Sequence, residues 1–364
     1  MTPIVRTVLG DIDPGELGVT LTHEHLLIEF GRWEREAAEQ GGAAEAGEVG
    51  APAMRQASDD PRVQQPITLA NVGWVRRHWT MHPGNMLLDN EDVAISEIQE
   101  FKDAGGSAIV DATNPDLHRR PEALVRIAQQ VGLHIVMGAG HYIGEFHPLD
   151  MDERDEEAIT TQIMADVTEG CDGTSIRAGV IGEVGCSWPL TANERRSLRA
   201  SARAAIATNA ALLIHPGRDT RSPFEVMEVV VEAGHDPART IMSHLDRTVV
   251  EDADLVRLGE IGCYLEFDLF GQESSFYPLS SIDMPNDATR VDHLMHLIEA
   301  GYGERLLVAQ DICRKTSLTS YGGEGYGHIL TNVLPLMRRK GMSEESIERI
   351  LVQNPARVLS FEVG

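Results

Sequence analysis

The chain has 364 residues, 42% of them apolar and 24% charged, the proportions of a globular protein long enough to bury a sizeable core. Acidic residues outnumber basic ones 57 to 31, a formal charge of −26. That balance argues against a nucleic-acid partner and an anionic membrane surface, both of which call for a basic face.

The start, MTPIVRTVLGDIDPGELG, has no apolar leader core, and no apolar run approaches the roughly 18 residues of a membrane span. Cys171, Cys186, Cys263 and Cys313 form no C-x-x-C pair. A zinc ribbon and a disulfide scaffold are therefore disfavoured, and a cytoplasmic location is expected.

In chain order, β-rich runs alternate with segments of helical period. The first is GVTLTHEHLL (18–27). A long stretch follows, about residues 30–90, whose Ala-, Gly- and Glu-rich part (30–65) reads as an insertion on the exit of strand one. It is either part of a lid or a surface excursion without a role. SAIVDAT (107–113) is next, then the helix-like PEALVRIAQQVG, HIVMGAGHY (134–142) and AGVIGEVG (178–185). Thr191 and Glu194 have the spacing of a capping box and open a helix that leads to ALLIHPG (211–217). FEVMEVVVEAG precedes TIMSHLD (240–246), CYLEFDLF (263–270) follows, and ATRVDHLMHLIEAG precedes RLLVAQDI (305–312). SEESIERILVQNPARVLSF ends the series.

Several strands are near-continuous apolar runs, the pattern of parallel strands covered on both faces. Eight strands alternating with helices predict an α/β fold, a closed (β/α)8 TIM barrel, as one domain over 1–364 with the insertion within it. A doubly wound sheet would carry a Gly-rich phosphate loop after strand one, where Thr22-His23-Glu24-His25 stands instead.

Polar residues gather at the C-terminal ends of these strands, where barrel enzymes place their sites. Strand one ends in His23 and His25, two apart and so on one face. Glu183 lies in strand four, His215 ends strand five, His244 strand six and Asp311 strand eight. Each alone has a bland reading, as a core histidine or a helix cap. Glu183 is the most telling, because an ionised Glu inside an apolar run needs a cation. Four imidazoles and two carboxylates suit divalent ions, zinc above all, with manganese, cobalt or iron as alternatives. Six ligands exceed the needs of one tetrahedral ion, whereas two ions bridged by a carboxylate and a hydroxide use them all. His141 and Tyr142, at the end of strand three, are candidates to line the substrate pocket. Arg218, Arg221, Arg247, Arg314 and Lys315 follow strands five, six and eight. An arginine fork there suits a carboxylate or sulfonate, and of these Arg218, Arg247 and Arg314 are the substrate-binding candidates.

The HEH of strand one, IGEVGCSW, IHPG, SHLDR and AQDI, with QNPARVLSF at the end, resemble the phosphotriesterase family of the amidohydrolase superfamily over essentially the whole chain. GEVGCSWPLT, MSHLDRT, FDLFG and YGGEGYGHILTNVLP place the resemblance in its phosphotriesterase-related branch. By that resemblance His23, His25 and Asp311 would hold the more buried metal and His215 and His244 the more exposed one. Glu183 would bridge them, with Asp311 as proton shuttle. Organophosphate-hydrolysing members carry a carbamylated lysine at the bridge, but none of Lys102, Lys315 and Lys340 is near strand four. The resemblance thus implies a metal-dependent hydrolase of small-molecule amides, N-acetyltaurine or N-acetyl amino acids, in a chain that forms a homodimer. A lactonase or phosphotriesterase-type esterase with the same site is the alternative.

Overall fold

The computed structural model describes residues 3–30, 60–274 and 277–362. Eight strands form one sheet in sequence order: β1 (Thr20–Glu24), β2 (Ala108–Asp111), β3 (His134–Ala139), β4 (Val180–Gly185), β5 (Ala211–His215), β6 (Thr240–Met242), β7 (Tyr264–Phe267) and β8 (Leu306–Val308). Every neighbouring pair is parallel. Each lies within one of the eight predicted strands. The helices that link them or lead into them are α1 (Glu91–Asp103), α2 (Pro121–Val131), α3 (Glu156–Thr168), α4 (Ala192–Thr208), α5 (Ser222–Glu232), α6 (Asp252–Ile261) and α7 (Asp287–Glu299). The sheet curls so that β8 lies beside β1, the (β/α)8 barrel expected from the sequence. The Thr191 capping box forms as its spacing predicts, and the Glu194 carboxylate also accepts the Gly144 N–H at 2.8 Å.

Strand residues alternate between two cores, the period of two that any strand imposes. Val136, Leu213, Ile241 and Leu307 fill the barrel interior, while Ile135, Leu212, Met242 and Leu306 pack outward against the helices. Both ends of the described chain join the interior cluster. An N-terminal strand, Pro3–Thr7, pairs antiparallel with Gly10–Ile12 and with Phe361–Glu362, and delivers Val5 to the interior beside Val358 and Leu359.

Residues 31–59 of the predicted insertion lie outside the described residues. Just before it, Ile28–Glu29 pairs antiparallel with Leu87–Leu88 near its other end. Among the described residues, no helix is long and apolar enough to cross a membrane.

Candidate metal centre

Two β-bulges sit at the residues of interest, and the second also shifts the β3–β4 ladder at Ile181 and Gly182. Between β1 and β2 the register passes from Leu21↔Ile109 to Glu24↔Asp111, three steps against two. Between β4 and β5 it passes from Ile181↔Leu212 to Val184↔Ile214, again three against two. Each extra residue is a β-bulge, which re-aims the side chains beside it. One falls at Thr22–His23 and the other at Gly182–Glu183. Ile181 and Val184 both stay in the outer core, so Glu183 is freed to turn inward. Gly182 makes this possible, because a Cβ there would lie 2.4 Å from the Leu213 Cβ. His244 and Asp311 lie two and three residues past their strands, with left-handed backbones at φ 53° and 48°. Such conformations cost of order 1–3 kcal/mol in a non-glycine residue and gather at functional sites.

The Glu183 carboxylate stands at the centre of the four histidines. Its Oε1 is 3.3 Å from His25 Nε2. Its Oε2 is 2.7 Å from His215 Nδ1 and 3.5 Å from both His23 Nε2 and His244 Nε2. The ring nitrogens that face away have partners of their own. His25 Nδ1 meets Thr113 Oγ1 at 2.9 Å, and His244 Nδ1 meets Asp268 Oδ1 at 2.8 Å. His23 Nδ1 lies 3.3 Å from Asp268 Oδ2 and 3.4 Å from Glu266 Oε2. A carboxylate or hydroxyl behind a histidine fixes its orientation and leaves the other nitrogen for a metal. His215 is turned the other way, with Nδ1 on Glu183 and Nε2 beside Arg247 Nη2 at 3.0 Å. If Nδ1 ligates, Nε2 bears the proton, and Arg247 Nη2 gives its hydrogen bond to the Pro216 carbonyl at 3.1 Å.

These residues fit divalent cations. Three groups bring metal-ligating atoms within 4.8 Å of one another: His23, His25 and Glu183; Glu183, His215 and His244; and His23, His244 and Asp268. Neither ring nitrogen of His23 makes a hydrogen bond, although the residue is fully buried. Carboxylate oxygens stand 3.3–3.5 Å from both nitrogens, so Nε2, which faces Glu183, is left open to a cation. Burial raises the pKa of Glu183, yet His215 and His23 outweigh it and hold the carboxyl well below its usual range. Burial and the adjoining His244 hold the His215 imidazole well below its usual value. Asp311 Oδ1 stands 3.3 Å from His25 Nε2 at the open side of the cluster, with its side chain 17% exposed.

A cavity of about 50 Å³ opens over Glu183, His25, His215 and Asp311. Tyr142, Arg218, Arg247 and Arg314 line it. The Tyr142 hydroxyl is 3.4 Å from His215 Nδ1. His141 is placed elsewhere, with Nδ1 3.1 Å from both Asp116 oxygens, and is not among the described wall residues. Arg218 Nε donates to the Tyr277 hydroxyl at 2.8 Å, and Arg247 Nη1 donates to Thr248 Oγ1 at 3.0 Å. Among the described residues neither has an ion-pair partner. Asp219 is taken by the exposed Arg221, and Asp246 by the buried Arg290, each at 2.8 Å. Arg314 lies over Trp79 and donates to Gln272 Oε1 at 2.7 Å. Lys102 and Lys340 are bound on the outside, and Lys315 lines a different cavity.

The sequence reading missed four buried carboxylates around the cluster: Glu24, Asp111, Glu266 and Asp268. Their signal was present, since Glu266 and Asp268 stand two apart in the apolar run CYLEFDLF.

A family model described as the phosphotriesterase family matches residues 3–359. The N-acetyltaurine hydrolase of Homo sapiens is 41% identical over 360 residues, which cover 98% of this chain and 98% of that protein. Among solved structures, a resiniferatoxin-binding protein from Rhodobacter sphaeroides superposes with a TM-score of 0.87 at 31% identity, covering 98% of this chain and 94% of that one. A phosphotriesterase homology protein from Escherichia coli, with phosphate in its active site, reaches a TM-score of 0.74 at 22% identity over 96% of this chain and all (100%) of that one, a likeness of fold.

Proposed function

The chain belongs to the phosphotriesterase family of metal-dependent hydrolases, and from that premise we propose a binuclear divalent-metal enzyme that cleaves the amide of small anionic N-acyl compounds, N-acetyltaurine or N-acetyl amino acids. The carrying observation is Glu183, whose Oε1 faces His25 and whose Oε2 faces His215, His244 and His23. A carboxylate so placed is a ready bridge, and it needs no lysine carbamate.

In this reading His23, His25 and Asp311 would hold one ion and His215 and His244 the other. Two divalent ions held there would supply a hydroxide nucleophile near neutral pH and Lewis-acid polarisation of the acyl oxygen. Four imidazoles favour zinc among the candidates. The chain's own groups do the rest. Asp311, at the open edge, accepts the proton of the attacking water and returns it to the amine nitrogen as the C–N bond breaks. Water and amide thus become carboxylic acid and amine. Arg218 and Arg247, which have no acidic partner among the described residues, offer guanidinium donors to the substrate's carboxylate or sulfonate and fix its distance from the scissile bond.

Acetate release from N-acetyltaurine tests the reading. Protein purified without chelator is expected to carry close to two metal equivalents, to lose activity with a chelator and to regain it with zinc. A firm value of one equivalent, unchanged by added metal, would overturn the binuclear reading.

The anion contact has its own test. A neutral analogue such as N-acetylethylamine is expected to lose about ten- to a hundredfold in kcat/KM, the worth of one charge-assisted contact of roughly 1.5–3 kcal/mol. Arg218→Ala and Arg247→Ala should narrow the gap by slowing the anionic substrate alone. Equal rates on charged and neutral amides, or a preference for lactones, would favour the esterase alternative.

A further inference from the structure

Among the described residues, backbone ladders join every neighbouring pair of barrel strands except β8 and β1. The seam is closed instead by three successive amides of the turn after β8. Gln310 N–H donates to Glu24 Oε1 at 2.8 Å, Asp311 N–H to the His23 carbonyl at 3.1 Å, and Ile312 N–H to Glu24 Oε2 at 2.9 Å. Glu24 lies between His23 and His25 but on the opposite side of the strand, fully buried. Its two oxygens thus grip the residues on either side of Asp311, whose own backbone is held at φ 48°. Tyr326 adds a further tie at this edge, its hydroxyl donating to the His25 carbonyl at 2.7 Å.

We propose that Glu24 is a positioning residue: its carboxylate replaces the missing ladder and so sets the Asp311 side chain against His25. This rests on the reading above, in which Asp311 serves the metal pair. The same carboxylate fixes the strand that carries two histidines and the turn that carries the acid, so the parts of one metal site keep their spacing across the one barrel seam without a strand ladder. A glutamine cannot do this, because its amide offers one accepting oxygen and an NH2 that only donates. One of the two N–H groups would then face an N–H.

Glu24→Gln and Asp311→Ala are combined in a double-mutant cycle, read by chelator competition for zinc and by hydrogen exchange. Glu24→Gln alone is expected to weaken zinc binding about 10–100-fold, the usual cost of removing a group that orients a ligand. It should also speed exchange at 310–312 at least about tenfold while the amides of 306–308 stay protected. In the Asp311→Ala background the same change should cost less than about threefold, because residues acting through one group are not additive. Glu24→Asp keeps the charge but falls one methylene short. It should give a milder form of the same pattern, and it stands in if the glutamine variant does not fold. Equal losses with and without Asp311, or unchanged exchange at 310–312, would reduce Glu24 to a structural residue of the barrel. A wild-type protein that takes up no zinc would overturn the binuclear reading itself, and with it the role assigned here.

Discussion

Glu183→Ala is expected to lose metal and activity together, with turnover of an N-acyl amide down by about 10³-fold or more. The size of the effect follows from charge. Two divalent ions held about 4 Å apart would repel by roughly 17 kcal/mol at an effective dielectric of 20. A shared carboxylate is the nearest group that offsets this. Without it, two imidazoles are left facing one another, His244 Nε2 and His215 Nδ1 only 2.8 Å apart. Metal binding also stabilises the native state by mass action, about 2.7 kcal/mol at a hundred times Kd. Zinc should therefore raise the melting temperature of the wild type and leave that of Glu183→Ala nearly unchanged. Glu183→Gln keeps the shape without the charge and should fall between them. Full metal content in Glu183→Ala, or wild-type activity that depends on bicarbonate, would refute the bridge.

The residues that point at this chemistry were legible because each interrupts an apolar run at a strand end. The barrel was legible for a related reason: buried parallel strands write themselves as runs of Val, Ile and Leu. Less visible was the backbone that aims the ligands. The bulges at Thr22–His23 and Gly182–Glu183 insert one residue against a partner strand, and a single strand's sequence says nothing of register. A glycine inside an apolar strand was the one hint, at Gly182. Asp268, behind His23 and His244, was missed although the argument used for Glu183 applies equally to it. An acid in an apolar strand needs a partner, and here the partners are histidines on β1 and after β6. The N-terminal strand and its partner Phe361–Glu362 were missed because each is short and pairs across the length of the chain. His141 looked like a pocket residue from its place after β3, but Asp116 also accepts the Tyr142 N–H at 2.9 Å and turns the imidazole to itself.

Asp311→Asn should separate two roles that the geometry alone leaves joined. The side chain touches His25, as a ligand would, and reaches the open cavity, as a proton carrier must. Asparagine keeps an oxygen for a metal and most of the shape, but it cannot take up a proton near neutrality. Amine departure from an amide requires that proton, because an amide anion is far too basic to leave. The expected loss on N-acetyltaurine is therefore about 10²–10⁴-fold in kcat, the range for a lost general acid–base group. An activated ester with a p-nitrophenolate leaving group needs no protonation, and there the loss should stay under about tenfold. Zinc content should remain near that of the wild type. A fall of equal size on both substrates, accompanied by lost metal, would make Asp311 a ligand and nothing more. The proton would then have to travel through another group at the cavity wall, and Tyr142, whose hydroxyl sits 3.4 Å from His215, is the neighbour placed to carry it.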